Sequence, residues 1–453
     1  MKENRRFLPE KNLCCYPLEE NAFYPMSIDE PKYVTRGNCM ERSILDEDTV
    51  KTASTTEGIT STDTIATAKS SASRWLESFK QIWPIYLLTH IAFALLTYFA
   101  PLFTLPNFSG ISLHISTFWH SWDRWDSGHY VAIATNGYQH LWQTAFFPLF
   151  PLLERGLAVV VRDPFIAGLL ISNLATLGVF MVLYRLVAED FDADRAWRAV
   201  FYLAVFPTAF FLVAAYNESL FLLFALLSFY QMRRGRWWLA GLAGLAATLT
   251  RSSALVLIIP FCYEYARQHR FQWRSIRLDV LAGLGIFAGI AIYSLYCYLQ
   301  FHDPLAFSHA QVAGGWGRTL HGPWTVFARS VSTLLHNPVF SFISLHTAFD
   351  FGSILFVLAL LVLGWVGPWR FSREHWGYIL CASAIYLFSL LFPDGGAYTT
   401  AGLSRYMLEV FPAFVVLAAI IGAKRNRNMY YLTLSLSLLA FLLLQWLTGG
   451  WVV

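Results

Sequence analysis

Hydrophobic and polar positions fall in long blocks along this chain. Apolar runs occupy approximately 82–103, 164–185, 197–215, 218–232, 237–250, 254–266, 278–301, 349–367, 376–392, 403–423 and 429–448. A helix that crosses a bilayer needs about 20 such residues, so the pattern predicts an all-α polytopic membrane protein with eleven spans. The run 146–161 is also apolar, but Pro148 and Pro151 interrupt its start and Glu154 and Arg155 sit inside it. Loop charge arbitrates, because basic residues concentrate on the cytoplasmic side. If 146–161 does not cross, the inner loops hold fifteen Arg and Lys residues and the outer side from 104 onward holds seven. If it crosses, the bias inverts over every later loop. The expectation is a segment 146–161 that lies on or dips into the outer face, within a first outer loop of 104–163.

Two hairpins are short for spans, 218–232 and 237–250. Their turns, Tyr216-Asn217-Glu218-Ser219 and Thr250-Arg251-Ser252-Ser253, are expected below the membrane surface. Irregular polar backbone at that depth is tolerated where it lines a wet or protein-enclosed cavity. The first outer loop, both turns and the segment 393–405 are therefore expected to face one recessed cavity.

Composition sharpens this picture. The chain is 56% hydrophobic and 14% charged, against roughly a quarter charged in soluble proteins. A net charge of +4, with no basic block in a polar segment, excludes nucleic acid as a partner. Residues 1–80 mix both charge signs with a Ser/Thr-rich tract from Thr49 to Ser73; such a segment buries too little to fold and is expected to be a disordered cytoplasmic tail, leaving 82–453 as the multi-span domain. The six cysteines show no C-x-x-C spacing and read as packing thiols rather than metal ligands.

The chemistry concentrates after the first apolar run, in Phe118-Trp119-His120-Ser121-Trp122-Asp123-Arg124-Trp125-Asp126-Ser127-Gly128-His129-Tyr130, followed by Asn136-Gly137-Tyr138 and Ala145-Phe146-Phe147-Pro148-Leu149-Phe150-Pro151. Charge beside hydrocarbon is costly, so such a cluster marks a functional site. A helix from about Phe118 to Asn136 would set Asp123, Asp126 and Tyr130 on one stripe, with His129 beside it. Asp126 is the candidate general base for an acceptor hydroxyl, with Asp123 and His129 as catalytic partners. The alternative for these three is a solvated or interfacial surface role. Arg251 and Arg405 break the charge bias at outer span ends. Guanidinium matches phosphate in a bidentate geometry and could receive a lipid-phosphate leaving group, or else reach toward lipid headgroups. Glu218 and Asn217 at the first turn, with Trp125 and Tyr138, complete the candidate substrate-binding set; Glu218 could equally be a helix-dipole partner. No phosphate-cradling glycine loop and no D-x-D triplet is present, which argues against a nucleotide-sugar donor, a metal and any other cofactor.

These residues carry a resemblance. Trp125-Asp126-Ser127-Gly128-His129-Tyr130 with Gly137-Tyr138 and Ala145 to Pro151 resembles the signature of the GPI mannosyltransferase 2 (PIG-V) family. Tyr216-Asn217-Glu218-Ser219-Leu220-Phe221 is similar to its Y-S-E-S-L-F element, Gly244 to Ser252 to its G-L-A-x-x-x-R-S segment, and Ser404-Arg405-Tyr406 with Phe411-Pro412 to a late R-Y…F-P element. Gly449-Gly450-Trp451 resembles its terminal tryptophan motif. The chain departs from the pattern with Asn217 in place of Ser and Ser253 in place of Asn. The resemblance covers about 82–453. It implies the GT-C class of membrane glycosyltransferase, with the catalytic carboxylate at Asp126 and inversion at the sugar's anomeric carbon. It also implies a polyprenyl- or dolichyl-phosphate sugar donor, usually mannose, and a lipid-linked or other glycan acceptor. The site would face away from the cytoplasm, across the plasma membrane of a prokaryote or the endoplasmic reticulum of a eukaryote, with membrane lipids as surroundings. Two other readings use the same cavity: a lipid or polyol transporter or flippase, and a non-catalytic subunit of a glycosyltransferase complex.

Overall fold

The computed structural model describes residues 71–103, 115–314, 317–396 and 398–452. Among the described residues every regular element is a helix. The first is α1 (Ser71–Phe99), continued by a 3-10 turn to Phe103. It begins eleven residues before the apolar run does; the rest of the expected tail, 1–70, lies outside the described residues. Two short helices follow, α2 (Ile115–His120) and α3 (Asp126–Asn136), then α4 (Leu149–Val161). At 13 residues, α4 rises about 20 Å, short of the roughly 30 Å of a hydrocarbon core.

Next come α5 (Pro164–Asp190) and α6 (Ala193–Ala204). Asp163 caps α5 by accepting from the Ile166 amide at 3.1 Å, with Pro164 preset at the first helical position. The expected span 197–215 is not one helix. α6 stops at Ala204, and residues 205–217 run through turns and a single 3-10 turn at Ala209–Leu212. Pro207 lies inside that run, has no amide to donate and disfavours helix before it. The freed carbonyls are taken up by α5: Thr176 Oγ1 donates to Leu212 O at 2.5 Å, Asn173 Nδ2 to Val213 O at 3.1 Å and Ser172 Oγ to Tyr216 O at 2.9 Å. Irregular backbone away from water requires this kind of partner.

The two short hairpins form α7 (Glu218–Arg233), α8 (Trp237–Thr250) and, after a 3-10 turn, α9 (Ile258–Gln268). α10 (Leu284–Phe301) crosses α8 backbone to backbone. A methyl on Gly241 would sit 2.1 Å from Ala282 O, and one on Gly285 2.6 Å from Gly241 O. Small residues permit this close helix approach in membranes. The remaining helices are α11 (Ala306–Ala313), α12 (Trp324–His336), α13 (Phe342–Val366), α14 (Trp376–Leu391), α15 (Leu403–Tyr406), α16 (Phe411–Ile421) and α17 (Arg425–Leu447).

Among the described residues, five segments are long and apolar enough to cross a membrane: 72–103, 164–190, 278–301, 342–366 and 425–447. The expected run 403–423 is bent by 77° between Leu403–Glu409 and Phe411–Ile421, which would make a sixth. The bend falls at Val410, just before Pro412. The expected count of eleven is therefore not reproduced as eleven continuous helices. Exposed apolar side chains such as Leu88, Leu174, Leu299, Val366 and Phe441 cover the outside of the bundle, as hydrocarbon requires.

Candidate active site

The candidate stretch is not a single helix. α2 ends at His120 and α3 starts at Asp126, with turns and irregular backbone between them. Three contacts fix this break. Trp122 is buried and its indole donates to Thr97 Oγ1 at 3.0 Å. Arg124 Nη2 donates to Leu447 O at 2.9 Å, and Tyr216 Oη donates to Arg124 O at 3.0 Å. Trp125 then adopts φ 51°, a conformation unfavourable for a bulky side chain that the surrounding contacts must hold. The expected stripe of Asp123, Asp126 and Tyr130 is accordingly corrected. Asp123 is exposed in the break and accepts from Ser127 Oγ at 2.8 Å, while Asp126 opens α3 on the other side of the turn.

Asp126 lines a cavity of about 800 Å³. Its backbone N–H donates to Tyr216 Oη at 3.3 Å, and its Oδ2 accepts from Arg405 Nη1 at 2.9 Å. Arg405 Nε lies 3.0 Å from Glu218 Oε1, and the same oxygen accepts from Arg251 Nη1 at 3.3 Å. Arg251 is paired in turn with Glu409. A chain of alternating charge, Asp126–Arg405–Glu218–Arg251–Glu409, thus runs along one wall. The phenol ring of Tyr406 packs under it, with the Arg251 and Arg405 guanidinium carbons 4.5 and 5.4 Å from its centroid. Burial, with the Asp126 charge next in weight, pushes the Tyr216 phenol well above its ordinary value, so it stays a neutral hydrogen-bonding hinge.

The sequence candidates divide on this geometry. Trp125, Asp126, His129, Asn217, Arg251 and Arg405 line the cavity. His129 does so with its ring centroid 4.9 Å from that of Phe146 and 5.2 Å from that of Trp142. Asn217 Nδ2 donates to Thr250 O at 3.0 Å, tying the start of α7 to the end of α8, so both short-hairpin turns meet at one place. Glu218 is buried behind the arginines and positions them rather than lining the cavity, and its second oxygen has no hydrogen-bond partner among the described residues. Tyr138 does not reach the cavity. It is buried, donates to Phe146 O at 2.6 Å and packs against Tyr293 and Tyr296. Arg251 and Arg405, the candidate partners of a lipid phosphate, are each paired with two carboxylates.

Sequence reasoning missed Glu409, Tyr216, Tyr406, Arg318 and Trp451. Glu409 had a local signal: it follows Arg405 by four residues, inside the R-Y…F-P element. Tyr216, Tyr406 and Trp451 lay inside the motifs that carry the resemblance but were not singled out as site residues; Arg318 had no signal, because it reaches the wall from a loop. Val452 O and Trp451 O are held by His346 at 2.9 Å and Gln445 at 2.9 Å respectively.

Fold and cavity together define an all-helical membrane protein with a charge-lined site enclosed among its helices. The particular family follows from comparison with known proteins: the family model described as Mannosyltransferase (PIG-V) matches residues 80–344, and the chain belongs to that family. It is 29% identical over 206 residues to GPI alpha-1,6-mannosyltransferase 2 of Rattus norvegicus, covering 40% of this chain and 41% of the relative. It is 28% identical over 178 residues to GPI mannosyltransferase 2 of Yarrowia lipolytica, covering 38% and 48%. The match thus spans less than half the length of either relative. Among solved structures, ArnT from Cupriavidus metallidurans bound to undecaprenyl phosphate aligns over 75% of each chain, with a TM-score of 0.46 and 14% identity.

Proposed function

We propose that this protein is an inverting, metal-independent GT-C glycosyltransferase. It moves mannose from a polyprenyl- or dolichyl-phosphate donor to a hydroxyl of a lipid-linked glycan. The observation that carries the reading is the cavity-lining Asp126, whose Oδ2 is bound by Arg405 at 2.9 Å. Membership of a mannosyltransferase family and the names of the relatives support the sugar. The loop charge bias supports a site on the extracytoplasmic face, at the plasma membrane or endoplasmic reticulum according to the cell.

In this mechanism the Asp126 carboxylate takes the proton of the acceptor hydroxyl as its oxygen attacks the anomeric carbon. The bond from that carbon to the lipid phosphate breaks on the opposite face, so configuration inverts. The lipid phosphate leaves with the electron pair, and cationic groups of the wall stabilise the charge it develops. Arg405 fixes the orientation of Asp126, and Tyr216 fixes the turn that carries it; a positioned base of this kind is worth about 10²–10⁴ in rate.

The test is transfer of label from radiolabelled polyprenyl-phosphate mannose to a membrane lipid extract by the purified full-length protein, with the anomeric configuration of the product determined. An inverted product is expected. A product with retained configuration, or flux of lipid across a vesicle bilayer with no glycosylated product, would overturn the reading.

A further inference from the structure

Three arginines line the cavity, and they are not equivalent. Arg405 and Arg251 are each bound by two carboxylates, as described above. Arg318 comes from the connection between α11 and α12 and is held loosely. Its Nε lies 3.9 Å from Asp394 Oδ2, its Nη1 is 3.4 Å from Gln311 Oε1, and its backbone N–H donates to Gln311 O at 3.0 Å. The side chain is 21% exposed, against 11% for Arg405. Asp394 is committed elsewhere, since its Oδ1 accepts from the Gly396 amide at 2.8 Å.

Two glycines bring this pair of loops together. Gly317 has φ +58°, and a methyl on Gly395 would lie 2.6 Å from Gly317 O. The Arg318 loop is also stitched to the end of α14, with His321 N–H donating to Leu391 O at 2.9 Å. Arg318 is therefore delivered between α11 and α14, on the same cavity as Asp126. It is close enough to Tyr406 for its charge to act on that hydroxyl, and Tyr406 underlies Arg405. The wall between α10, α11 and α14 is apolar, formed by Leu255, Ile290, Phe307, Phe388 and Phe392. A weakly neutralised guanidinium at the head of a half-buried hydrocarbon wall matches a phosphate on a long apolar chain. Binding such a phosphate to Arg251 or Arg405 would require it to displace two carboxylates; at Arg318 it displaces one long contact.

We infer that Arg318 is the residue that receives the phosphate of the lipid-linked donor, with its hydrocarbon chain laid along Leu255, Ile290, Phe307, Phe388 and Phe392. The inference rests on the reading of the cavity as a lipid-phosphate-sugar site, and it gives to Arg318 the role that the sequence offered to Arg251 or Arg405. Guanidinium offers phosphate two parallel donors where an ammonium offers a point charge, so lysine should substitute only in part.

The test measures binding of a sugar-free polyprenyl phosphate to purified full-length protein in detergent by quenching of tryptophan fluorescence, with the matching polyprenol as the uncharged control. Arg318→Gln is expected to weaken polyprenyl phosphate binding at least tenfold and leave polyprenol binding unchanged, Arg318→Lys to fall between, and Asp394→Asn to bind as well as wild type or better. Equal binding by wild type and Arg318→Gln overturns the inference, as does the absence of polyprenyl phosphate binding by the wild type. If Arg318→Gln does not fold, Arg318→Lys decides: unchanged affinity overturns the inference, and a loss supports it. Sugar transfer measured in parallel separates the two claims. Arg318-dependent binding without transfer by the wild type refutes the transferase and keeps the phosphate site. Transfer with Arg318-independent binding does the reverse.

Discussion

Helix α7 carries a charge at each end, and the two ends do different work. Its first residue, Glu218, joins the Asp126–Arg405–Arg251–Glu409 chain. Its last, Arg233, joins a second cluster, with Asp190 at 2.8 Å and Glu264 at 3.3 Å, and Arg267 lies 2.7 Å from Glu264. Both ends satisfy the helix dipole, acid at the start and base at the finish. The second cluster is bound into the helices around it: Tyr378 Oη donates to Asp190 at 2.7 Å, Arg233 Nη1 donates to Glu374 O at 2.8 Å, and a methyl on Gly377 would lie 2.3 Å from Glu264. The first cluster leaves one side open to the 800 Å³ cavity. Similar ingredients tie helices together at one end of α7 and border open space at the other.

The sharpest way to break this contrast is Asp126→Asn. It should reduce sugar transfer by about 10³-fold or more while the thermal unfolding midpoint in detergent stays within a few degrees of wild type. Transfer at the wild-type rate would remove Asp126 from the chemistry. At the other end of α7, Arg233→Met should do the opposite. It takes from half-buried Asp190 its cation and leaves buried Glu264 with Arg267 alone, an expected loss of about 1–3 kcal/mol in denaturant unfolding, with turnover per folded molecule unchanged.

Gly241→Ala is the next largest effect. The methyl would press on the Ala282 carbonyl, a backbone atom that cannot swing aside, and should destabilise by about 1–3 kcal/mol as read by thermal unfolding. A Gly241→Ala protein as stable as wild type would show that the α8–α10 approach is looser than described.

A pH-dependent effect concerns Glu154 on α4. It is fully buried, neither of its oxygens has a hydrogen-bond partner among the described residues, and burial, with the Asp123 charge second, pushes its carboxyl from 4.5 up to about 9. The fold holds this group protonated where an unfolded chain would release the proton. Its contribution to stability is therefore full below about pH 4.5 and is lost as pH rises through about 9. Glu154→Gln should flatten this decline, raising the unfolding midpoint at pH 8.5 and leaving it nearly unchanged at pH 4.5; parallel pH slopes for both proteins would refute the assignment. Smallest of all is Asp123→Asn, which loses only an exposed contact to Ser127. Transfer should fall by less than about tenfold, against the far larger loss at Asp126.

How much of this was legible in the sequence depends on the range of the interaction involved. Helix type and the shortness of 218–232 and 237–250 follow from local rules, and they appear as read. The single helix 118–136 does not. Its periodicity was sound, but the Trp122 bond to Thr97 and the Arg124 bond to Leu447 outweigh local helix preference and break it. That break moves Asp123 out of the cavity wall and leaves Asp126 in it. The run 197–215 was read by hydropathy alone, which does not register a proline; α5 supplies the polar partners that make the irregular path tenable.

The chain by itself therefore determined that this is a helical membrane protein, which family it resembles, and which short motifs hold its charges. Each of those is a property of composition or of neighbours in sequence. The tertiary structure alone decided how the charges pair. Arg405 meets Asp126 across 279 residues and Arg251 meets Glu409 across 158, distances over which no sequence pattern specifies a partner. Each of the two candidate arginines meets two carboxylates, while a third, Arg318, which nothing in its neighbourhood singled out, has one long contact. A charge acts through its surroundings, and in a helical bundle those surroundings are assembled by packing between segments far apart in the chain.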